Sequence, residues 1–396
     1  MTGPKPLDGI KVLDLSRVLA GPWAGQILAD YGADVIKIER PGLGDDTRAW
    51  GPPWWGDPKD RMSAYYLSAN RGKRSIAIDL ATPDGAALVR QLAGHADVLL
   101  ENYKVGQLAK YGLAYADLQA INPRLVYCSI TGYGQDGPYA PNAGYDFAIQ
   151  AAGGVMSITG EKDGTPGSEP QKVGVAMADL GTGVYATTAI LAALVGRVGS
   201  GKGCHIDAAL LDTQVALLAN QASNYLVGGQ TPKRMGNAHI NVVPYQVFAT
   251  RDGYIVVAVG NDAQFARYCA LAGDAALARD PRFADNSGRL AHRNELIAIL
   301  AGWMLARSTA EWMALLEPNA VPCAPILDIP DVLKHPQVLH RGMRREIAGV
   351  PVIATPMRFD GQRPLADLPP PQLDAQGPAL REALARAEGW PRRSEP

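Results

Sequence analysis

Short apolar runs of strand type recur through the first third of the chain, each followed by a helix-like stretch, and this alternation restricts the fold more than any other feature. GIKVLDL at 9–15 and ADVIKIE at 33–39 enclose SRVLAGPWAGQILADYG, whose small and apolar spacing suits a helix beginning near Pro22. Strand, helix and strand within about 30 residues form a βαβ unit, which leads to a parallel, doubly wound sheet. The pattern continues with NRGKRSIAIDL at 70–80, a helix that Thr82 or Asp84 caps, ADVLLEN at 96–102 and RLVYCSITGYG. The turn after the first strand reads AGP and lacks GxGxxG, so the dinucleotide fingerprint is absent. Arg40 ends the second strand, where open α/β sheets take their ligands, and is either a phosphate contact or a solvent-facing arginine.

Beyond Gly132 the repeat gives way to a loop carrying Tyr139, Tyr145 and Asp146, and then to PQKVGVAMADLGTG at 170–183. Residues 173–177 read as a buried strand or extended segment and 180–196 as a helix, with Asp179 at the joint. An aspartate there is a helix N-cap, or a carboxylate kept ionised by the helix dipole and able to act as a nucleophile. GSGKG at 199–203 lacks phosphate-loop spacing and reads as a turn.

The length of 396 residues favours two domains. The polar stretch from Asn220 reads as a connection, a smaller domain follows with Asp262 capping a helix, and the Pro-rich remainder returns to the first domain. The expected division is 1–220 completed by 330–396, with 221–329 as linker and small domain. A net charge of −1 gives no global signal for nucleic acid or an anionic membrane. Cys128, Cys204, Cys269 and Cys323 show no metal or disulfide spacing, so no metal is expected. With no signal-type start and no run of about 18 apolar residues, the expectation is a soluble cytoplasmic protein.

In their order and spacing, PLDGIKVLDLSRVLAGPWAGQILADYGADVIKIERPGLGDDTR, NRGKRSIAIDL, ADVLLEN, SITGYGQDGPYA, GYDFAIQAAGG, MADLGTG and GNAHINVVPYQVF resemble the class III CoA-transferases, the formyl-CoA transferase and carnitine CoA-transferase group. The resemblance spans nearly the whole chain. It implies an α/β fold with a Rossmann-like large domain, a smaller α+β domain and a homodimer of interlocked chains. It also implies coenzyme A, carried as acyl-CoA, and Asp179 as the nucleophile that passes through an aspartyl-CoA thioester.

Carried over residue by residue, CoA binding falls to Leu19, Ala20, Arg40, Ile78, Asn102, Tyr103, Lys110, Tyr145 and Asp146. A family lysine near Ile78 is replaced by Ala81, and the glycine-rich lid of formyl-CoA transferase by NAHIN at 237–241. The α-methylacyl-CoA racemases of the family carry a GHD motif where this chain has Gly144-Tyr145-Asp146, and a tyrosine is a poor general base at neutral pH. A CoA-binding protein without catalysis is the other alternative, and an intact Asp179 argues against it. The stretch 221–265 is similar to the succinyl-CoA:glutarate branch, implying a succinyl-CoA donor and a short dicarboxylate acceptor. For the distal carboxylate the candidates are Lys233, Arg234, Asn237, His239 and Asn241, with Arg48 from the first long loop.

Overall fold

The computed structural model describes residues 5–386 and 389–391; the first residues of the N-terminal stretch read for a signal and the end of the expected tail lie outside them. The chain divides into two compact units, one of residues 1–155, 172–229 and 336–396, the other of 156–171 and 230–335. Residues 156–171, expected in the large domain, thus belong to the second unit. There, Asp163 binds Arg234 through its carboxylate, and the Gln171 N–H bonds to the Thr159 carbonyl.

The first unit is built from β1 (Lys11–Asp14), α1 (Ala20–Asp30), β2 (Asp34–Glu39), α2 (Ala64–Ala69), β3 (Lys73–Ala77), α3 (Pro83–Ala93), β4 (Val98–Glu101), α4 (Tyr115–Ile121) and β5 (Val126–Thr131). It continues through α5 (Asp146–Ala152), α6 (Met177–Ser200), β6 (His205–Ala209), α7 (Leu210–Ala216) and α8 (Ala219–Gly228). Its six strands pair in the order β3-β2-β1-β4-β5-β6, all parallel. Period-two alternation sends neighbouring residues to opposite faces: Leu13, Ile36 and Leu99 enter one core, Val12, Val35 and Val98 the other. Thr82 caps α3, accepting the Gly85 N–H at 3.1 Å. Strand β6 was not legible, because its HIDAA sequence is too short and polar for a buried run.

Helix α6 buries Ala178, Thr182, Ala186, Ile190 and Leu194, an i, i+4 row that packs on α1. Gly183 permits the approach, since a Cβ there would stand 2.7 Å from the Ala20 carbonyl oxygen. By length and composition α6 could cross a membrane, against the expectation that no segment could. Its buried row and the Arg197–Asp97 ion pair at 2.8 Å mark it as a core helix of this unit. Its other side leaves Val184, Tyr185, Val195 and Val198 exposed.

The second unit holds β7 (Tyr245–Ala249), β8 (Tyr254–Ala258), α9 (Asp262–Ala272), α10 (Arg293–Met304), α11 (Thr309–Leu316) and β9 (Cys323–Pro325), with an antiparallel sheet of order β9-β8-β7. Asn261, not Asp262, caps α9, and Asp262 pairs with Arg289 instead. The chain then forms the hairpin β10 (Arg344–Ile347) and β11 (Val350–Ile353) and the helix α12 (Gly377–Ala385), whose Leu380 and Leu384 join the core over β3. The stretch from Asn220, read as a connection, opens as helix α8 to Gly228 and then runs without helix to β7.

Candidate active site

Strand order reverses between β1 and β4, so the loops leaving their carboxyl ends diverge and open a crevice. A cavity of about 220 Å³ lies there, lined by Arg17, Leu19 and Ala20 after β1, Asn102 and Tyr103 after β4, Gly144 and Tyr145 before α5, and Asp179 on α6. A second cavity of about 200 Å³ shares Arg17, Tyr103 and Gln107 with it and adds Arg40 and Ile78. Lys110 lines neither and stands exposed on the turn Leu108–Tyr111.

The turn that carries Leu19 and Ala20 is clamped at three consecutive residues. Lys37 donates to the Ser16 carbonyl at 2.7 Å, and Asn102 clasps Arg17 by accepting its N–H at 2.8 Å and donating to its carbonyl at 2.7 Å. The Asp45 carboxylate accepts the Val18 N–H at 3.2 Å. Val18 has φ +72°, a conformation that costs a β-branched residue energy and persists only where its surroundings impose it. Behind the turn, Lys37 pairs with Asp45 at 2.9 Å and Lys73 with Asp14 at 2.8 Å, all four side chains fully buried. Burial would raise Asp45, but the Lys37 ammonium and the Thr47 hydrogen bonds bring it down to about 2. Asn102, expected to contact CoA, thus spends its amide on the turn.

Asp179 is the third residue of α6 rather than its cap. Ala176 holds the cap position without a side-chain bond, and the missing acceptor comes from Asp146 of α5, which takes the N–H groups of Ala178 at 2.8 Å and Asp179 at 3.2 Å. Asp146 also accepts from Gln150 Nε2 at 2.7 Å, so its carboxylate caps a helix where a CoA contact was expected. Buried Gln150 accepts the Val173 N–H at 2.9 Å and donates to the Val175 carbonyl at 3.3 Å. These bonds hold 173–175 against α5, so of the two readings of 173–177 the strand fails: 173–176 are tethered non-strand chain and Met177 opens α6. The Asp179 carboxylate accepts no hydrogen bond from the described residues and is half-buried in the cavity wall. Burial, then the charge of Asp146, push it up to about 7, against the pull of the helix dipole.

The CoA-transferase family III model matches residues 7–377. The chain belongs to CoA-transferase family III. This transferase is 50% identical over 399 residues to a succinate–glutarate CoA-transferase of Agrobacterium fabrum, covering 99% of this chain and 98% of that protein. It is 46% identical to the human succinyl-CoA:glutarate CoA-transferase, covering 94% of this chain and 84% of that one. A CaiB/BaiF family protein from Brucella suis superposes with a TM-score of 0.86 at 51% identity, covering 96% of this chain and all of that one.

Two of the transferase's expected substrate cations are committed elsewhere. Arg48 donates to both carboxylate oxygens of Glu39 at 2.8 and 2.7 Å, to the Tyr66 hydroxyl and to the Pro371 carbonyl, fixing the first long loop. Arg234 pairs with Asp163 inside the second unit. In that unit Lys233 and Asn237 are exposed, the His239 Nδ1 accepts the Asn241 N–H at 3.0 Å, and the Asn241 carbonyl accepts from Asn286. Arg17 was missed by sequence reasoning: it lines both cavities, pairs with Asp46 at 2.8 Å and faces the Tyr103 ring at 5.4 Å. Its Nε is buried with no partner among the described residues. Tyr65 was missed too; burial, then the charges of Asp179, Asp146 and Asp45, raise its hydroxyl and keep it protonated. No motif marks Tyr65 or Gln150, since only the fold brings Tyr65 into the field of Asp179 and Gln150 onto Asp146 and the 173–175 segment.

Proposed function

We propose that this transferase moves CoA from succinyl-CoA to glutarate or another short dicarboxylate, with Asp179 as nucleophile. The observation that carries the reading is the Asp179 carboxylate, which lines the switch-point cavity without a hydrogen bond from the described residues. The names and identities of the relatives support the choice of acids.

In this reading Asp179 attacks the thioester carbonyl, and the tetrahedral oxyanion collapses to a mixed anhydride with loss of CoA thiolate. The thiolate attacks the aspartyl carbonyl, freeing succinate and leaving aspartyl-CoA. The acceptor carboxylate attacks that thioester and expels the thiolate, which then takes the acyl group from the second anhydride and restores Asp179. Partial desolvation suits this cycle, because a poorly solvated carboxylate is a stronger nucleophile than a hydrated one. Arg17 and Arg40, at the junction and in the second cavity, are the cations for CoA phosphates.

Asp146 is occupied as a helix cap and Tyr145 is 71% exposed, which disfavours proton abstraction at that position. The exposed apolar side of α6 supports a second copy of the chain as partner, and interlocked chains are the arrangement we infer. Four free cysteines suit a reducing compartment, and we place the protein in the cytoplasm. The test is a panel of acceptors at fixed succinyl-CoA, run beside an α-proton exchange assay. Glutarate should exceed formate, oxalate and carnitine. Faster transfer to monocarboxylates would remove the substrate proposal, and α-proton exchange without transfer would remove the mechanism.

A further inference from the structure

The returning tail gathers four arginines, Arg341, Arg345, Arg358 and Arg363, none of which lines the two active-site cavities. Arg358 and Arg363 each donate an Nη2 hydrogen bond to the same acceptor, the Arg341 carbonyl oxygen, at 2.8 and 2.7 Å. Two guanidinium groups therefore stand side by side on one neutral oxygen. The Nε atoms of both are buried and have no hydrogen-bond partner among the described residues. The Arg345 guanidinium folds against Gly342, where a Cβ would stand 2.8 Å from its Nη2.

Elsewhere in this unit, sheltered arginines meet carboxylates: Arg48 with Glu39, Arg71 with Asp30 and Arg74 with Asp34. Among the described residues none of the four tail arginines does. Burial, then the charges of Arg358, Arg341 and Arg345, pull Arg363 below the ordinary arginine value. Arg345 is exposed and the other three are partly buried; like charges so crowded repel unless an anion stands among them, and guanidinium groups bind oxyanions through paired N–H donors. Phe359 packs edge-on against Tyr31 at the C-terminal end of α1, while Leu19 and Ala20 lie at the other end of that helix. The cluster is thus remote from the CoA groove.

We propose that these arginines form an oxyanion site, separate from the CoA groove, for a small dianion of the phosphate or dicarboxylate class. The Arg358 and Arg363 guanidinium groups, already fixed by the Arg341 carbonyl, supply the rigid half of the site. Arg341 and Arg345, whose side chains make no hydrogen bond or ion pair among the described residues, close it.

The test uses the full-length protein saturated with CoA, so that phosphate positions in the groove are filled. Inorganic phosphate is titrated by calorimetry and by thermal midpoint, with glutarate as a second arm and sodium chloride at matched ionic strength as control. Saturable binding is expected in the parent protein, weakened about tenfold in Arg341→Gln and in Arg345→Gln, with CoA transfer retained in both. Because glutarate also enters the active site, only a response that both variants weaken counts, and whether that response is to phosphate or to glutarate assigns the class of anion. Binding that chloride reproduces, no saturable binding of either anion, or binding by both variants as tight as in the parent overturns the site.

Discussion

Asp146 accepts the backbone N–H of Asp179 at 3.2 Å and, in capping the helix that presents the nucleophile, sets a second carboxylate beside it. Position and charge are therefore coupled: the group that fixes the start of α6 also helps to raise Asp179 to about 7. Replacing Asp146 by Asn keeps an oxygen for the two N–H groups and removes the charge. We expect the acid limb of the kcat/KM profile, near pH 7 in the parent, to move to lower pH, while staying above the ordinary aspartate range because burial is the larger cause. A pH–rate profile of CoA exchange checks this, and an unmoved limb would refute the coupling.

Asp179→Asn should lower turnover by about a thousandfold or more, as loss of a nucleophile does. It should also stabilise the fold. The folded carboxyl titrates near 7 and the unfolded one near 4, so the native state binds more protons between those values and loses stability as pH rises through that window. Removing the group removes the loss, a gain of about 1 kcal/mol at pH 8 after allowance for solvent screening. Thermal unfolding at pH 8 and below pH 4 should show the gain at the first and none at the second.

Val18→Gly should relieve the positive φ and stabilise the chain by about 1 kcal/mol, the strain released exceeding the added backbone entropy. The same change loosens the turn that carries Leu19 and Ala20, so KM for the acyl-CoA should rise severalfold with kcat little changed. Urea unfolding and steady-state kinetics on one preparation separate the two effects.

Arg48→Gln should behave as a structural lesion. It leaves Glu39, a buried carboxylate that burial would raise but that Arg48 and Lys37 hold low, without its bidentate partner. A loss of about 3 kcal/mol is expected, with the ranking of acceptor acids unchanged. A variant of parental stability and altered acceptor ranking would return Arg48 to the substrate site.

Much of the architecture was written in local pattern. Apolar runs of strand length separated by amphipathic helices suffice for a parallel sheet, because burying both faces of each strand demands helices on either side. The order of the motifs likewise pointed to the family and to Asp179. Tertiary structure alone decided what each polar group does. Arg48, Asn102 and Asp146 carry side chains suited to binding a ligand, yet the fold places a carboxylate, a strained turn and an uncapped helix within their reach. The pairings of Lys73 with Asp14 and of Arg71 with Asp30 also depend on residues far apart in the chain. Charges and hydrogen-bond donors act over a few ångströms of space, and the sequence orders residues only along the backbone.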